Sequence, residues 1–238
     1  MSWFSRRKPR RGELSDEVGI IRSGVQRSPG MGALSEALAR RRVGSILDLG
    51  ASRNENLVYL GQYCSNIVIH DVVGARGEAL AAPRASLFQI HPESLALDAG
   101  PGFDVILLWD LLHYVERARA GAFAARLAEL ARPDALVLLL AAAATPIPLT
   151  PIRFKILDRD HLLYEVANER RDPAPRLTPR QVERLMERFC PVRSFQLRNG
   201  LQEFLFRYEG TAEPAAEAGP VEEEEPRQQK VKQPGDWY

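Results

Sequence analysis

The strongest constraint on how this chain folds is a recurrence of short runs that are apolar throughout, each followed by a stretch with helical spacing. Ser45-Ile46-Leu47-Asp48-Leu49-Gly50 is the first such run, and Leu57, Leu60 and Tyr63 follow it at three-residue steps. Asn66-Ile67-Val68-Ile69-His70-Asp71 is the second, residues 86–90 a weaker third, Asp104-Val105-Ile106-Leu107-Leu108-Trp109 a strong fourth and residues 135–140 the fifth. Between the last two, residues 118–131 put Phe123, Leu127 and Leu130 on one helical face, and residues 33–40 supply a short helix ahead of the first strand. A strand with one solvated face alternates apolar and polar residues, so a run without alternation is buried on both. Strands of that kind alternating with helices predict a mostly parallel sheet with helices on both faces.

The pattern breaks at Thr145-Pro146-Ile147-Pro148-Leu149-Thr150-Pro151, where each proline removes a backbone donor and opposes regular pairing. A lid or insertion is expected over residues 145–178, with His161, Tyr164 and Glu165 in it. Regular structure resumes at Thr178-Pro179-Arg180-Gln181, which combines a Thr cap, Pro at the first helical position and Gln at the capping-box position. Val182, Leu185, Met186 and Phe189 then fall on one helical face. Two last strands, 192–197 and 203–208, are joined through Arg198-Asn199-Gly200, whose Asn-Gly pair signals a tight turn and an antiparallel hairpin.

The 238 residues suffice for one α/β domain with trimmings. Residues 31–210 are expected to form it, between a flexible basic arm (1–30) and a disordered acidic tail (211–238). The arm carries Arg6, Arg7, Lys8, Arg10 and Arg11, and the tail carries Glu222 to Glu225 among Pro, Ala, Gly and Gln. A net charge of +1 argues against a surface built wholly for nucleic acid, although the arm has the charge to touch RNA, anionic lipid or an acidic partner if it is not simply a solvated end. No apolar run reaches the roughly 18 residues of a membrane span. Residues 1–8 lack the order of a secretory signal, so a cytoplasmic location is expected. Cys64 and Cys190 have no metal-ligand spacing and are expected to be reduced and buried.

Ligands of open α/β sheets bind beyond the carboxyl ends of the strands, where the first strand-to-helix turn offers backbone amides. Here that turn is Asp48-Leu49-Gly50-Ala51-Ser52-Arg53-Asn54. An acid about 20 residues later can accept both hydroxyls of a ribose, and Asp71 stands 21 residues after Gly50. On Ile46-Leu47-Asp48-Leu49-Gly50, Asp71, the segment from Phe103 through Trp109 to Val115, and the terminal hairpin, residues 33–208 resemble the class I S-adenosylmethionine-dependent methyltransferases of the small-molecule type.

The resemblance implies a Rossmann-like, seven-stranded, mostly parallel sheet with a C-terminal antiparallel hairpin. It also implies S-adenosylmethionine as cofactor, with Asp48, Gly50, Ala51, Ser52 and Asn54 bordering its methionine part and Asp71 its ribose. His91 lies near the position where the family often places an acid for adenine, and Asp110 borders the same pocket. Asp110 and His113 are the candidate catalytic residues, as general base for in-line methyl transfer. The family usually has glycine where this chain has Ser52 and Asn54. Asn best tolerates the left-handed region that such a turn asks for, whereas Ser52 adds a side chain.

Each site residue also has a plainer role open to it. Asp71 can cap the following turn, His113 can pack at the sheet edge beside Tyr114, and Asp110 can cap the next helix. Two functions follow: methyl transfer to a small-molecule acceptor, or a methyltransferase-like scaffold without activity that holds partners. An RNA-directed methyltransferase using the basic arm is a third.

Overall fold

In the computed structural model the described residues are 21–51, 53–72, 74, 89–98, 100–142, 146–167, 171–172 and 177–210. The chain enters through β1 (Gly24–Arg27) and turns into α1 (Pro29–Arg40), whose cap Ser28 accepts the Met31 amide at 3.1 Å and whose first position is proline. β2 (Val43–Asp48), α2 (Asn54–Leu60) and β3 (Cys64–Ile69) follow, then β4 (Phe103–Trp109), α3 (Ala120–Leu130) and β5 (Ala131–Ala142). Next come the short β6 (Ile147–Pro148), β7 (Arg153–Ile156), β8 (His161–Glu165) and β9 (Arg171–Asp172). The chain then forms α4 (Pro179–Leu185), β10 (Phe189–Gln196) and β11 (Leu201–Tyr208).

The main sheet has six strands in the order β10-β11-β5-β4-β2-β3. The pairs β2/β3, β2/β4 and β4/β5 are parallel, and β11 and β10 close the sheet as the expected antiparallel pair. Ile46, Leu47, Ile106, Leu107, Leu138 and Leu139 are fully buried, which is why these strands read as unbroken apolar runs. Of the expected third strand only residues 89–90 are described, and Ile90 makes a parallel bridge to Val115; six strands, not seven, stand in the main sheet among the described residues. The capping box of α4 is present as read, with Thr178 and Gln181 each accepting from the other's backbone.

Residues 24–27 and 29–30, expected to belong to a flexible arm, are regular structure, and residues 1–20 of that arm lie outside the described residues. Gly24 to Arg27 pair antiparallel with β8, giving a second sheet in the order β1-β8-β7. Both Cys side chains were expected to be buried; Cys64 is, while Cys190 is half-buried on the edge strand β10. The smaller sheet is held to the body at several points. Ser28 donates its amide to Asp160 O at 2.7 Å, and Tyr59 Oη donates to Ser35 Oγ, which donates to Arg159 O. Phe154 of β7 stacks on Trp109 at the end of β4, with ring centroids 5.0 Å apart. Phe154 of β7, inside the segment expected to form a lid, therefore covers Trp109 at the carboxyl end of β4, so the smaller sheet roofs this edge.

Candidate functional site at the carboxyl edge of the sheet

Asp48 ends β2 with its carboxylate turned inward, 1% exposed. Oδ1 accepts the Gly50 amide at 2.9 Å and the Trp109 indole Nε1 at 2.6 Å, and Oδ2 faces Asn56 Nδ2 at 3.4 Å. Burial pushes its acidity to higher pH, and the Trp109 bond opposes that most strongly. Gly50 is required here by close approach: a Cβ on it would lie 2.6 Å from Trp109 Cδ1. Trp109 itself has φ 54°, costly for a bulky residue, at a register shift that ends β4. The hydrogen bond to Asp48 and the stack on Phe154 hold it there.

Of the turn's other residues, Ala51 is half-buried, Ser52 lies outside the described residues, and Asn54 is exposed as the first residue of α2. Asn54 does not supply the left-handed bend expected of it; among described non-glycine residues only Trp109 and Asp134 have positive φ. Arg53 turns toward the roof and pairs with Glu165 at 2.6 Å, and Lys155 bridges Glu165 and Glu55 at 3.1 and 3.3 Å. Asn56 had no place in the sequence reading. It is buried, donates Nδ2 to Phe154 O at 3.1 Å and accepts the Ile156 amide at 2.8 Å, so one side chain pairs with the edge of β7 as a neighbouring strand would.

Asp71, just past β3, is exposed, and its Oδ1 accepts the Gly74 amide at 2.7 Å. His70 beside it bonds through Nε2 to Ser94 O, tying the end of β3 to the 3-10 turn Pro92–Leu95. His91 opens that turn, and its Nδ1 is buried without a hydrogen-bond partner.

Asp110 is 2% exposed; Oδ2 accepts the Ile152 amide at 3.0 Å and Oδ1 has no partner. Burial raises its pKa to about 7. His113 faces away toward the end of β5, where Nε2 accepts the Ala142 amide at 2.5 Å. Burial lowers its pKa to about 4, so the ring is neutral with Nε2 committed as acceptor and the proton on Nδ1. Asp48, Gly50 and Asp110 thus gather around Trp109, Asp71 and His91 flank the end of β3, and His113 braces β5.

Tyr164 and Glu203 join this edge from the roof and from β11. Tyr164 is fully buried and set edge-on to Phe154 at 4.9 Å; burial pushes its phenol well above the ordinary tyrosine range, with Glu203 adding to the push and the Asn199 side chain opposing it. Glu203, also fully buried, accepts the Gly30 amide on Oε2 at 2.6 Å at the start of α1 and leaves Oε1 without a partner. Burial raises its pKa, against the Ser28 hydroxyl and the Gly30 amide. The sequence does carry a signal for Glu203: a Gln-Glu pair directly before the apolar run Phe204-Leu205-Phe206.

The chain matches no protein-family model and no curated protein. In structure it is similar to S-adenosylmethionine-dependent methyltransferases. The Burkholderia thailandensis 1,6-didemethyltoxoflavin-N1-methyltransferase, solved with 1,6-didemethyltoxoflavin and S-adenosylhomocysteine, is 22% identical at TM-score 0.45, over 75% of this chain and 76% of that one. The N-methyltransferase NodS from Bradyrhizobium japonicum WM9, solved with S-adenosylhomocysteine, is 15% identical at TM-score 0.43, over 76% and 88%. The glycopeptide N-methyltransferase MtfA, solved with S-adenosylmethionine, is 18% identical at TM-score 0.41, over 75% and 94%.

Proposed function

We propose that this protein transfers a methyl group from S-adenosylmethionine to a small-molecule acceptor. The observation that carries the reading is the strand order. β2 lies between β3 and β4, so the chain leaves β2 and β4 in diverging directions and opens a crevice at their carboxyl ends, the place where open α/β sheets take nucleotide ligands. The residues at that crevice fit the cofactor on its nucleoside side. Asp71, exposed at the end of β3, would hold the ribose hydroxyls, and His91, whose buried Nδ1 has no partner, would face the adenine. Gly50, Ala51, Ser52 and Asn54 would border the methionine part, with Asp48 fixing the turn from below.

The cofactor supplies an electrophilic methyl group. The protein supplies orientation, exclusion of water and an acceptor for a proton. Asp110 is suited to that last role, because its Oδ1 is uncommitted and its pKa near 7 lets it hold or release a proton at neutral pH. His113 acts instead as a positioning residue on the Ala142 amide.

Calorimetric titration with S-adenosylmethionine tests the reading: saturable binding is expected, roughly tenfold weaker in Asp71→Asn, which keeps the acceptor for Gly74 but loses the charge. No detectable heat at millimolar cofactor would falsify it. That outcome favours the second reading, a methyltransferase-like scaffold, which one observation supports: the Trp109 indole lies against Gly50 and occupies Asp48 Oδ1.

A further inference from the structure

α1 lies along one face of the main sheet and ends before the sheet does. At its start, a Cβ on Gly30 would lie 3.2 Å from Leu138 Cδ1, so Leu138 points toward α1, and Leu136, two residues earlier in β5, points to the same face. Leu136 stands between Arg207 of β11 and Val105 of β4, its partners in the ladder, so the three side chains form one row across the sheet at strand spacings of about 4.8 Å. Between that row and the last turn of α1 is a cleft of about 260 Å³. Leu38, Val43, Val105 and Leu136 give it an apolar floor, and Arg41, Asp104, Asp134 and Arg207 supply its charges.

Asp104 is already engaged. Its Oδ2 accepts the Gly44 and Ser45 amides at 2.7 and 2.9 Å and faces Arg132 at 3.6 Å. The other three are not. The side chain of Arg41, the residue that ends α1, makes no hydrogen bond or ion pair among the described residues, and that of Arg207 reaches only Glu209, at 3.9 Å. Asp134 sits in the same cleft in a left-handed bend, φ 64°, and pairs with neither guanidinium. Opposite charges that share so small a cleft without meeting leave room for a guest that carries both. An anion alone would face Asp134, a cation alone would face two guanidinium groups, and an apolar guest would take water from all three and return no bond. The last turn of α1 adds carbonyl oxygens at the cleft, and the negative end of a helix favours an ammonium there.

We infer that this cleft binds a free α-amino acid with an apolar side chain. Its carboxylate lies between Arg41 and Arg207, its ammonium donates to Asp134, and its side chain rests on Leu38, Val105 and Leu136. The site is separate from the crevice at the carboxyl edge: Asp104 and Trp109, near the two ends of β4, are on the order of 16 Å apart. The guest is therefore not the methyl acceptor, and the inference stands independently of cofactor binding.

The test is calorimetric titration of the full chain at pH 7 with L-leucine, L-leucinamide and 4-methylpentanoate. The three share a side chain and carry both charges, the positive one only and the negative one only. Leucine is expected to bind saturably with a Kd below about 1 mM, and each analogue at least roughly tenfold more weakly. Arg41, Asp134 and Arg207 are all exposed, so substitution leaves the fold in place, which urea denaturation checks. Arg41→Gln and Arg207→Gln should each weaken leucine at least about fivefold. Asp134→Gly accepts the φ of 64° and removes the carboxylate, so leucine should fall to the level of 4-methylpentanoate while 4-methylpentanoate itself binds no more weakly than before. No saturable heat with leucine up to about 10 mM, an analogue that binds as tightly as leucine, or a preference for leucine over 4-methylpentanoate that survives Asp134→Gly each overturns the inference.

Discussion

Asp48 and Trp109, at the ends of neighbouring parallel strands, are joined by a hydrogen bond of 2.6 Å from indole Nε1 to carboxylate Oδ1. The bond is the strongest influence opposing the upward push that burial gives the Asp48 pKa. Trp109→Phe keeps a ring to stack on Phe154 but deletes that donor. A loss of about 1–3 kcal/mol is expected, measured by urea denaturation. The loss should grow as pH rises, because an acid whose folded pKa moves further up loses stability with rising pH. A loss independent of pH would assign the effect to packing alone.

Gly50→Ala places a methyl 2.6 Å from Trp109 Cδ1. Overpacking of this kind costs about 1–3 kcal/mol, and the indole cannot retreat because Phe154 stacks against it. In a Trp109→Leu background the clash is gone, so the same substitution should cost under about 0.5 kcal/mol. A double-mutant cycle by chemical denaturation reads the coupling directly, and additive costs would mean that the loop is held by something other than the indole.

What the sequence discloses and what it conceals separate along the distance between partners. The main sheet was legible because each parallel strand is buried on both faces and advertises itself locally, as 104–109 does. The roof was not. Gly24–Arg27 is four residues with an alternating half-exposed pattern, and it becomes a strand only by pairing with His161–Glu165, far along the chain. Glu203 stands out in sequence only as part of a Gln-Glu pair; its partner is not legible there, because the Gly30 amide on its carboxylate lies 173 positions away. Asp71 and Gly50 stand out by their spacing, yet the residue that makes Gly50 necessary is Trp109, which in sequence looks like one more core aromatic. Asn54 was assigned a bend from its tolerance of positive φ, but α2 begins at that residue and its backbone is helical.

The Asn56 side chain bonds both the backbone of β7 and, at longer range, the carboxylate of Asp48. Asn56→Ala strands a buried carbonyl and a buried amide, so it should destabilise the protein by about 2–4 kcal/mol, counting roughly 1–3 for each group less what water recovers. The local signature is sharper than the global one. Hydrogen exchange at the Ile156 amide should accelerate far more than at Leu138 in the centre of the main sheet. Equal acceleration at both positions would show that the roof has no independent opening.

Asp110 and His113 give opposite slopes to the dependence of stability on pH. The Asp110 pKa rises from 3.8 to about 7 on folding, so its contribution is fully present below pH 4 and is lost as pH climbs toward 7, an amount on the order of 4 kcal/mol. The His113 pKa falls from 6.5 to about 4, so its contribution is present above pH 6.5 and is lost as pH drops through that window. The two nearly cancel between pH 4 and 6.5. Asp110→Asn keeps an acceptor for the Ile152 amide and removes this falling slope, so the unfolding free energy of the variant relative to the natural protein, measured by urea denaturation, should rise with pH across this window. Above pH 7 the variant should be more stable than the natural protein, which carries a buried charge there that the amide does not. A variant less stable than the natural protein at pH 8 would mean that the Asp110 carboxylate is already compensated by a partner, and would count against its being free to take a proton from an acceptor.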